Sequence, residues 1–354
     1  MIELSIIIPV YNVKEYLTEC VESIIAGDAG FEDKIEVLLM DDGSTDGSGE
    51  IADSFALGKN YIQVIHQQNQ GVAAARNRGI ERASGKWLFF VDSDDRIAKD
   101  ALAIILQTLK ANRKADILLF DAWKSKKGRE KEWVHFKKEG CFDKSSQQGQ
   151  RRLKLIRNRI LYPDKTPMAA CWDKIYRSDF LKNNGIRFRE ELLVLDDMIF
   201  NMEAFTYAGR VVYKKEKIYH YRRVSTSITN RYHPDRVEQD KKVWRYIEQY
   251  LERNRSTLSF EAYEELEQSY YCRIIKSFSI CCRLYFFHPG NNRKWREQLS
   301  RVKKVLGEYP YTVAFNRVKP RRLQWRLKAV LMMVRGKFTP GIWFLHKVNQ
   351  WMRL

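Results

Sequence analysis

Short β-branched runs alternate with segments of helical period over the first 120 residues, and this alternation restricts the possible folds more than any other feature. Leu4-Ser5-Ile6-Ile7-Ile8-Pro9-Val10 is a continuous run suited to a strand buried on both faces. Pro9 is expected to close it, because proline has no N–H for a ladder. Tyr16, Leu17, Cys20, Val21, Ile24 and Ile25 recur at three- and four-residue spacing and predict a helix ending near Gly27. The pattern repeats, with strands over 35–40, 61–66 and 86–91 and helices over 46–55 and 71–83. A helix over 100–112 and a strand over 116–123 follow. Parallel neighbours need crossover connections, so this repetition predicts an α/β fold: a Rossmann-like, mostly parallel sheet flanked by helices. Ligands of such sheets sit beyond the carboxyl ends of the strands.

The later chain reads differently. Residues 124–150 are charged and without clear period, suggesting loops and a short hairpin. Helices are expected over 151–161, 178–184 and 196–208, and short strands over 211–213 and 217–222. From 235 onward the pattern is mainly helical, aromatic and basic. At 354 residues the chain has room for two domains or one domain with a long extension. The formal net charge of +19 predicts an anionic partner: nucleic acid, an acidic membrane surface or a phosphorylated substrate. Much of it lies in residues 291–354, where sixteen Lys or Arg face only Glu297 and Glu308. Six scattered cysteines without a Cys-x-x-Cys pair point to a reducing cytosol. The start, Met1-Ile2-Glu3, lacks a basic leader, and no run reaches about eighteen apolar residues, so any membrane contact is expected to be peripheral.

The chemistry concentrates at the strand ends. Asp41-Asp42-Gly43-Ser44-Thr45-Asp46 follows the second strand and Asp92-Ser93-Asp94-Asp95 the fourth. Asp92 and Asp94, facing solvent with Asp95, suit Mg²⁺ or Mn²⁺ bridging a diphosphate, since these hard cations take one or two protein carboxylates. An acidic turn capping the next helix gives the same tripeptide. Asp42 can accept the imide N–H of a uracil ring, whereas Thr45 and Asp46 suit helix capping. No histidine has a partner at metal-ligand spacing, which argues against zinc.

Four segments in order, Ile6-Ile7-Ile8-Pro9-Val10-Tyr11-Asn12, Asp41 to Asp46, Asn69-Gln70-Gly71-Val72-Ala73-Ala74-Ala75-Arg76-Asn77 and Phe90-Val91-Asp92-Ser93-Asp94-Asp95, closely resemble the family 2 glycosyltransferases. The resemblance is strong over residues 1 to about 125, looser to 230 and faint beyond. It implies a GT-A fold, with a glycosyltransferase domain over 1–230 (nucleotide-sugar half 1–125, acceptor half 126–230) and a helical, basic C-terminal extension over 231–354. It assigns Pro9, Tyr11, Asp41, Asp42, Arg76 and Asp92 to the nucleotide-sugar site and Asp92 and Asp94 to Mn²⁺ or Mg²⁺. The implied donor is a UDP-sugar.

An inverting transfer needs a carboxylate opposite the leaving group to take the acceptor proton. Asp197, in Leu195-Asp196-Asp197-Met198, matches the family's base; Asp196 stands where glutamate is more usual. Asp196 as a helix N-cap, with Asp197 in the first turn, is the structural reading of the same pair. Trp172 in Cys171-Trp172-Asp173-Lys174 resembles a segment bordering acceptor pockets, where it stacks a sugar or packs in the core. His220 and Arg222 of Tyr219-His220-Tyr221-Arg222-Arg223 either reach the diphosphate or pack across strands. Alternation puts Tyr219, Tyr221 and Arg223 on one face and His220 and Arg222 on the other.

In the tail, Leu323, Leu327, Val330, Leu331 and Val334 form an apolar stripe, with Arg321, Arg322, Arg326, Lys328 and Arg335 mostly off it and Trp295, Trp325, Trp343 and Trp351 nearby. This composition fits a helix lying on an anionic bilayer or a solvated bundle. Nucleic acid is not expected, since no nucleic-acid motif accompanies the charge. The resemblance thus implies a cytoplasmic enzyme, peripheral on the inner face of a bacterial membrane, extending a polyprenyl-diphosphate-linked glycan of capsule, exopolysaccharide or lipopolysaccharide. The rivals are a nucleotidyltransferase, for which the Gly-rich basic loop after the first strand is missing, and a basic membrane-surface or nucleic-acid-binding protein that has lost catalysis.

Overall fold

The computed structural model describes residues 1–28, 30–126, 129–162, 168–223, 232–256 and 258–351, with side chains to residue 348. The expected boundary at 230/231 and the side chain of Trp351 lie outside the described residues. The alternating segments form β1 (Leu4–Val10), α1 (Lys14–Ile25), β2 (Ile35–Asp41), α2 (Ser48–Ala56), β3 (Ile62–His66), α3 (Val72–Arg82) and β4 (Trp87–Phe90). Then come β5 (Arg96–Ile97), α4 (Ala101–Ala111), β6 (Ile117–Lys126), β7 (Arg129–Trp133), β8 (Gly140–Asp143) and α5 (Gln147–Leu161). β9 (Lys174–Arg177), α6 (Ser178–Asn183), α7 (Asp196–Tyr207) and β10 (Arg210–Arg222) follow. The contacts divide the chain into two compact units, Met1–Arg157 with Met168–Val224 and Asn158–Pro167 with Ser225–Leu354.

In the first unit the sheet order is β3-β2-β1-β4-β9-β6-β10-β5, with β7 on β6 and β8 on β10. β1 to β4 are parallel, and β10 runs parallel to β6. The sheet departs from the parallel expectation at β9, which enters antiparallel between β4 and β6, and at β5, β7 and β8. β9 carries charge at both ends and has no readable period. Its Lys174 is nevertheless wholly buried, with Nζ 2.6 Å from Asp173 and from the Ala170 carbonyl. The two short strands expected over 211–222 are one strand, whose pairing with β6 shifts at Lys214/Lys217 and Lys217/Tyr219; the charged Lys214-Lys215-Glu216 interrupts the apolar pattern there.

Both faces of β1 are covered. Ile6 and Ile8 pack with Leu17, Val21 and Ile24 of α1 and with Leu102 and Ile105 of α4. Ile7 faces α3, where a Cβ at Gly79 would lie 2.3 Å from Ile7 Cγ2, so only glycine lets the helix sit this close. Each buried isoleucine contributes about 1.5–3 kcal/mol. Pro9 does not end β1, which continues to Val10 paired with Asp41. Ile7 O accepts from Val91 N, and Pro9 shares its parity. The missing N–H therefore faces the side on which β4 has already stopped at Phe90.

The second unit is helical: α8 (Arg236–Arg255), α9 (Phe260–Cys281), α10 (Trp295–Leu306), α11 (Tyr311–Arg317), α12 (Trp325–Arg335) and α13 (Thr339–Trp351). The stripe expected on a membrane is turned inward: Leu323, Leu327, Val330 and Leu331 are buried, and α12 packs on α9, α11 and α13. Among the described residues of this unit, Phe260, Trp295, Tyr309, Trp325, Met332, Phe338 and Phe344 are the large apolar or aromatic groups left exposed. Among the described residues no helix is long and apolar enough to cross a membrane.

Candidate active site

The acidic loops lie at the carboxyl ends of β2 and β4, on either side of the Tyr11-Asn12 loop that ends β1, as the sheet rule requires. Backbone there is bent into sparse conformations: φ is 51° at Asn12, 73° at Gly43 and 93° at Gly71, and 60° at Leu195 just ahead of α7. The glycines take these angles freely, whereas Asn12 and Leu195 hold them only where the surroundings enforce it, as happens at functional sites.

Asp42 is buried and fixes the loop before α3. Its Oδ1 accepts from Gln67 Nε2 at 2.7 Å and Gln70 N at 2.9 Å, and its Oδ2 from Gly71 N at 2.8 Å. Three of roughly four lone-pair positions are thus taken, leaving one for a nucleobase. Asp41 is directed to Ser44 N (3.1 Å) and His66 Nδ1 (2.8 Å). Burial pushes its carboxyl up, but these hydrogen bonds outweigh burial and hold it below the usual carboxylate range. His66, whose role the sequence did not disclose, also contacts Asp53 at 3.0 Å. Asp46 binds Ser48 N at 3.0 Å and Lys14 N at 3.0 Å, and Asn12 Oδ1 accepts from Thr45 N at 2.8 Å, which fastens the β1 loop to the β2 loop. Tyr11 projects from this junction 48% exposed, and Pro9 is buried.

Arg76 is where the separate acidic segments meet. One turn into α3 it is 5% exposed, and its guanidinium binds Asp92 Oδ1 at 2.8 Å, Asp196 Oδ2 at 3.1 Å and Asp197 Oδ1 at 2.7 Å. Two carboxylates remote in sequence from Asp92 are thereby drawn to the same cation. The arginine lies beneath the carboxylates rather than open to a nucleotide. Asp196 is not the N-cap: Leu195 occupies that position and both aspartates fall in the first turn of α7. Burial raises the Asp197 carboxyl to about 7 against the pull of Arg76, with Asp196 and Asp92 adding to the rise. A base that titrates near neutrality is matched to accepting a hydroxyl proton. Asn201, one turn on and fully buried, ties this end of α7 to Ala169 O (2.8 Å) and Tyr176 OH (2.8 Å).

The fourth-strand turn divides its labour. Asp95 does not face solvent as expected; it is buried, with Oδ2 accepting from Tyr219 OH at 2.8 Å and Oδ1 from Arg222 N at 2.5 Å. Asp94 is raised to about 6 by burial and by the charge of Asp92. Among the described residues no group of three His, Cys, Asp or Glu side chains is placed to hold a metal. Two hard carboxylates, Asp94 and the free oxygen of Asp92, remain; this donor set fits Mn²⁺ or Mg²⁺ whose other positions are taken by phosphate and water. The mutual repulsion that lifts Asp94 is what such a cation relieves.

The acceptor-side expectations fare unevenly. Trp172 is not open to a sugar: 4% exposed, it stacks on Tyr219 (4.7 Å, 12°) and Tyr221 (5.4 Å, 7°). Its indole finds three aromatic neighbours, including Trp133, and core packing prevails. His220 stacks on Trp123, and its Nδ1 lies 2.7 Å from Glu130. Arg222 reaches Glu19 Oε2 at 2.6 Å and covers the Tyr16 ring, while its charge lowers the carboxyl of Asp94. Of the three, Arg222 is the one next to the acidic turn.

Comparison with known proteins agrees with this architecture. A model described as Glycosyl transferase family 2 matches residues 5–185. Over 350 residues the chain is 27% identical to the glycosyltransferase EpsH of Bacillus subtilis (strain 168), covering 98% of this chain and 95% of that one. It is 31% identical over 222 residues to the poly(ribitol-phosphate) beta-N-acetylglucosaminyltransferase TarS of Staphylococcus aureus (strain MW2), a match that takes in 62% of this chain and 35% of TarS. The crystal structure of S. aureus TarS 1–349 in complex with UDP-GlcNAc aligns with a TM-score of 0.64 at 23% identity, over 99% of this chain and 92% of that one. The mannosyltransferase PcManGT from Pyrobaculum calidifontis, in complex with GDP-Man and Mn²⁺, aligns with a TM-score of 0.51 at 14% identity, over 95% and 86% of the two chains. The fold is therefore GT-A, and with a family model spanning just over half of its length the chain belongs to glycosyl transferase family 2.

Proposed function

We propose that this family 2 glycosyltransferase moves a hexose from a UDP-sugar to a hydroxyl of a glycan acceptor, with inversion at the anomeric carbon, in the synthesis of a bacterial surface polysaccharide. The observation that carries this reading is the single guanidinium of Arg76 joining Asp92 to Asp197. It puts a carboxyl that titrates near neutrality beside the acidic turn suited to a diphosphate. The UDP-GlcNAc held by the similar TarS structure supports the choice of donor, and the poly(ribitol-phosphate) in the TarS name supports a surface-polymer acceptor.

In this scheme Tyr11 and the remaining acceptor position of Asp42 receive the uracil, and Asp92 faces the ribose and diphosphate. A divalent cation on Asp92 and Asp94 would supply Lewis-acid neutralisation of charge on the departing diphosphate. Asp197 takes the proton of the acceptor hydroxyl as its oxygen attacks the anomeric carbon. The bond from that carbon to the diphosphate oxygen breaks on the opposite face, and UDP leaves. Arg76 orients Asp197 and offsets part of the surrounding negative charge.

The exposed aromatic groups and basic residues of the second unit support peripheral attachment to an anionic membrane surface, and with it an acceptor anchored on lipid. The test of the reaction is Asp197→Asn, which keeps the side-chain shape. Its transfer rate from UDP-sugar should fall by roughly 10²–10⁴-fold, the range for loss of a general base, with an unchanged circular dichroism spectrum. Transfer at the unaltered rate in that variant would end the assignment.

A further inference from the structure

One side chain of the acceptor half, Tyr219, touches the acidic turn at both of its ends. Tyr219 is wholly buried, and its hydroxyl does two things: it accepts from Asp92 N at 3.0 Å and donates to Asp95 Oδ2 at 2.8 Å. The same carboxylate takes Arg222 N on Oδ1, so a second group of β10 holds the far end of the turn. Asp95 N closes the loop on Asp92 O at 3.0 Å. The phenol has no freedom to swing, because Trp172 lies flat against it at 4.7 Å and Phe89 meets it edge-on at 6.3 Å. Asp92 and Asp94, the two carboxylates left free of this clamp, project from a backbone that a tyrosine 124 residues beyond Asp95 fixes in place.

From this geometry we infer that Tyr219 is the positioning residue of the metal-binding turn, with Asp95 as its buried counterpart, and that together they set the affinity for Mn²⁺ or Mg²⁺. The inference rests on the metal-dependent reading given above and goes beyond it by naming what tunes the metal. A small hard cation demands a near-ideal arrangement of few oxygens, so the orientation of two carboxylates matters more than their presence. Groups that touch ligands rather than the ion commonly govern affinity by 10–100-fold.

The test is direct titration of Mn²⁺ into the full chain with saturating UDP, read as loss of the free-ion signal in electron paramagnetic resonance. Tyr219→Phe keeps the ring stack and removes the hydroxyl; Asp95→Asn keeps the shape and disturbs the same contacts. Both should weaken Mn²⁺ by about tenfold or more, while UDP affinity without metal and the thermal midpoint stay near those of the wild-type protein. Wild-type affinity for Mn²⁺ in both variants would overturn the inference. So would a parallel fall in metal-free UDP binding and thermal midpoint, which would mark a role in the fold alone. If Tyr219→Phe does not fold, Asp95→Asn decides by itself; failure of both to fold would show support of the core and overturn the inference. A wild-type chain that does not retain Mn²⁺ in the presence of UDP removes the metal reading itself, before any variant is compared.

Discussion

Arg76 in the first unit and Arg273 in the helical unit are both buried, and they keep opposite company. Arg76 faces three carboxylates, whose charge, Asp197 first among them, lifts its pKa well above the usual value despite burial. Arg273 faces carbonyl oxygens at the end of α5, with Nε 2.6 Å from Leu161 O and Nη2 3.0 Å from Ile160 O. Burial lowers it to about 10, opposed by Cys272 and Asp240. A cation set against the negative end of a helix dipole completes a local requirement of the fold. A cation set among more anions than it can neutralise leaves a deficit that only another positive group removes. Burial alone does not distinguish the two arginines; the balance of charge around each does.

That contrast can be broken most directly at Arg76. Arg76→Met leaves three carboxylates packed without their partner, which should cost about 3–5 kcal/mol in urea unfolding at pH 8. Burial already raises Asp196 and brings Asp197 to about 7, and without the guanidinium these two hold protons in the folded state that they release on unfolding. Stability therefore falls as pH rises from 5 to 8, and the deficit should shrink at pH 5; an equal loss at both values would refute the charge argument. Arg273→Met should cost less, about 1–3 kcal/mol for the abandoned carbonyls, and by the same amount at pH 5 and pH 8. A steep pH dependence there would erase the distinction between the two sites.

The smallest effect concerns where each unit directs its charge. The helical unit exposes Arg321, Arg326 and Lys328 on the stretch that carries Trp325 (68% exposed), and it also exposes Phe344 (63%). Trp325→Ser with Phe344→Ser should reduce sedimentation with vesicles containing acidic lipid, by less per group than the about 1.5–3 kcal/mol of full burial. Unchanged sedimentation would remove the membrane reading. Deletion of residues beyond 291 is a poorer test, since it would strip Leu327, Val330, Leu331 and Ile342 from the core they help to build.

What could be read from the sequence follows the range of the interactions. β1 to β4 were legible because burial on both faces makes β-branched runs, and the acidic turns because aspartates end those runs. Of the residues expected at the site, Tyr11, Asp41, Asp42, Asp92 and Asp94 were likewise visible as residue types at or beside strand ends. β9 was hidden because four residues bounded by charge carry no period: Ile175 and Tyr176 join the apolar core, but the burial of Lys174 depends on Asp173 and the Ala170 carbonyl. The role of Arg76 was hidden for another reason: its bond to Asp197 spans 121 positions, and nothing local encodes it. Tyr219 could be assigned a face by alternation, but not a partner. Trp172 failed as a sugar platform because three aromatic rings, two from β10 and one from β7, compete for its surface.

Gly79 governs more than its own packing. It sits one position short of a full helical turn beyond Arg76, on the stretch of α3 pressed flush to Ile7. Any larger residue there would lift the helix off the sheet and carry the guanidinium with it, lengthening contacts that now measure 2.7 to 3.1 Å. The lightest side chain in the protein thus calibrates the reach of one of its longest, and a single methyl group at position 79 could silence the enzyme without altering any atom that meets a substrate.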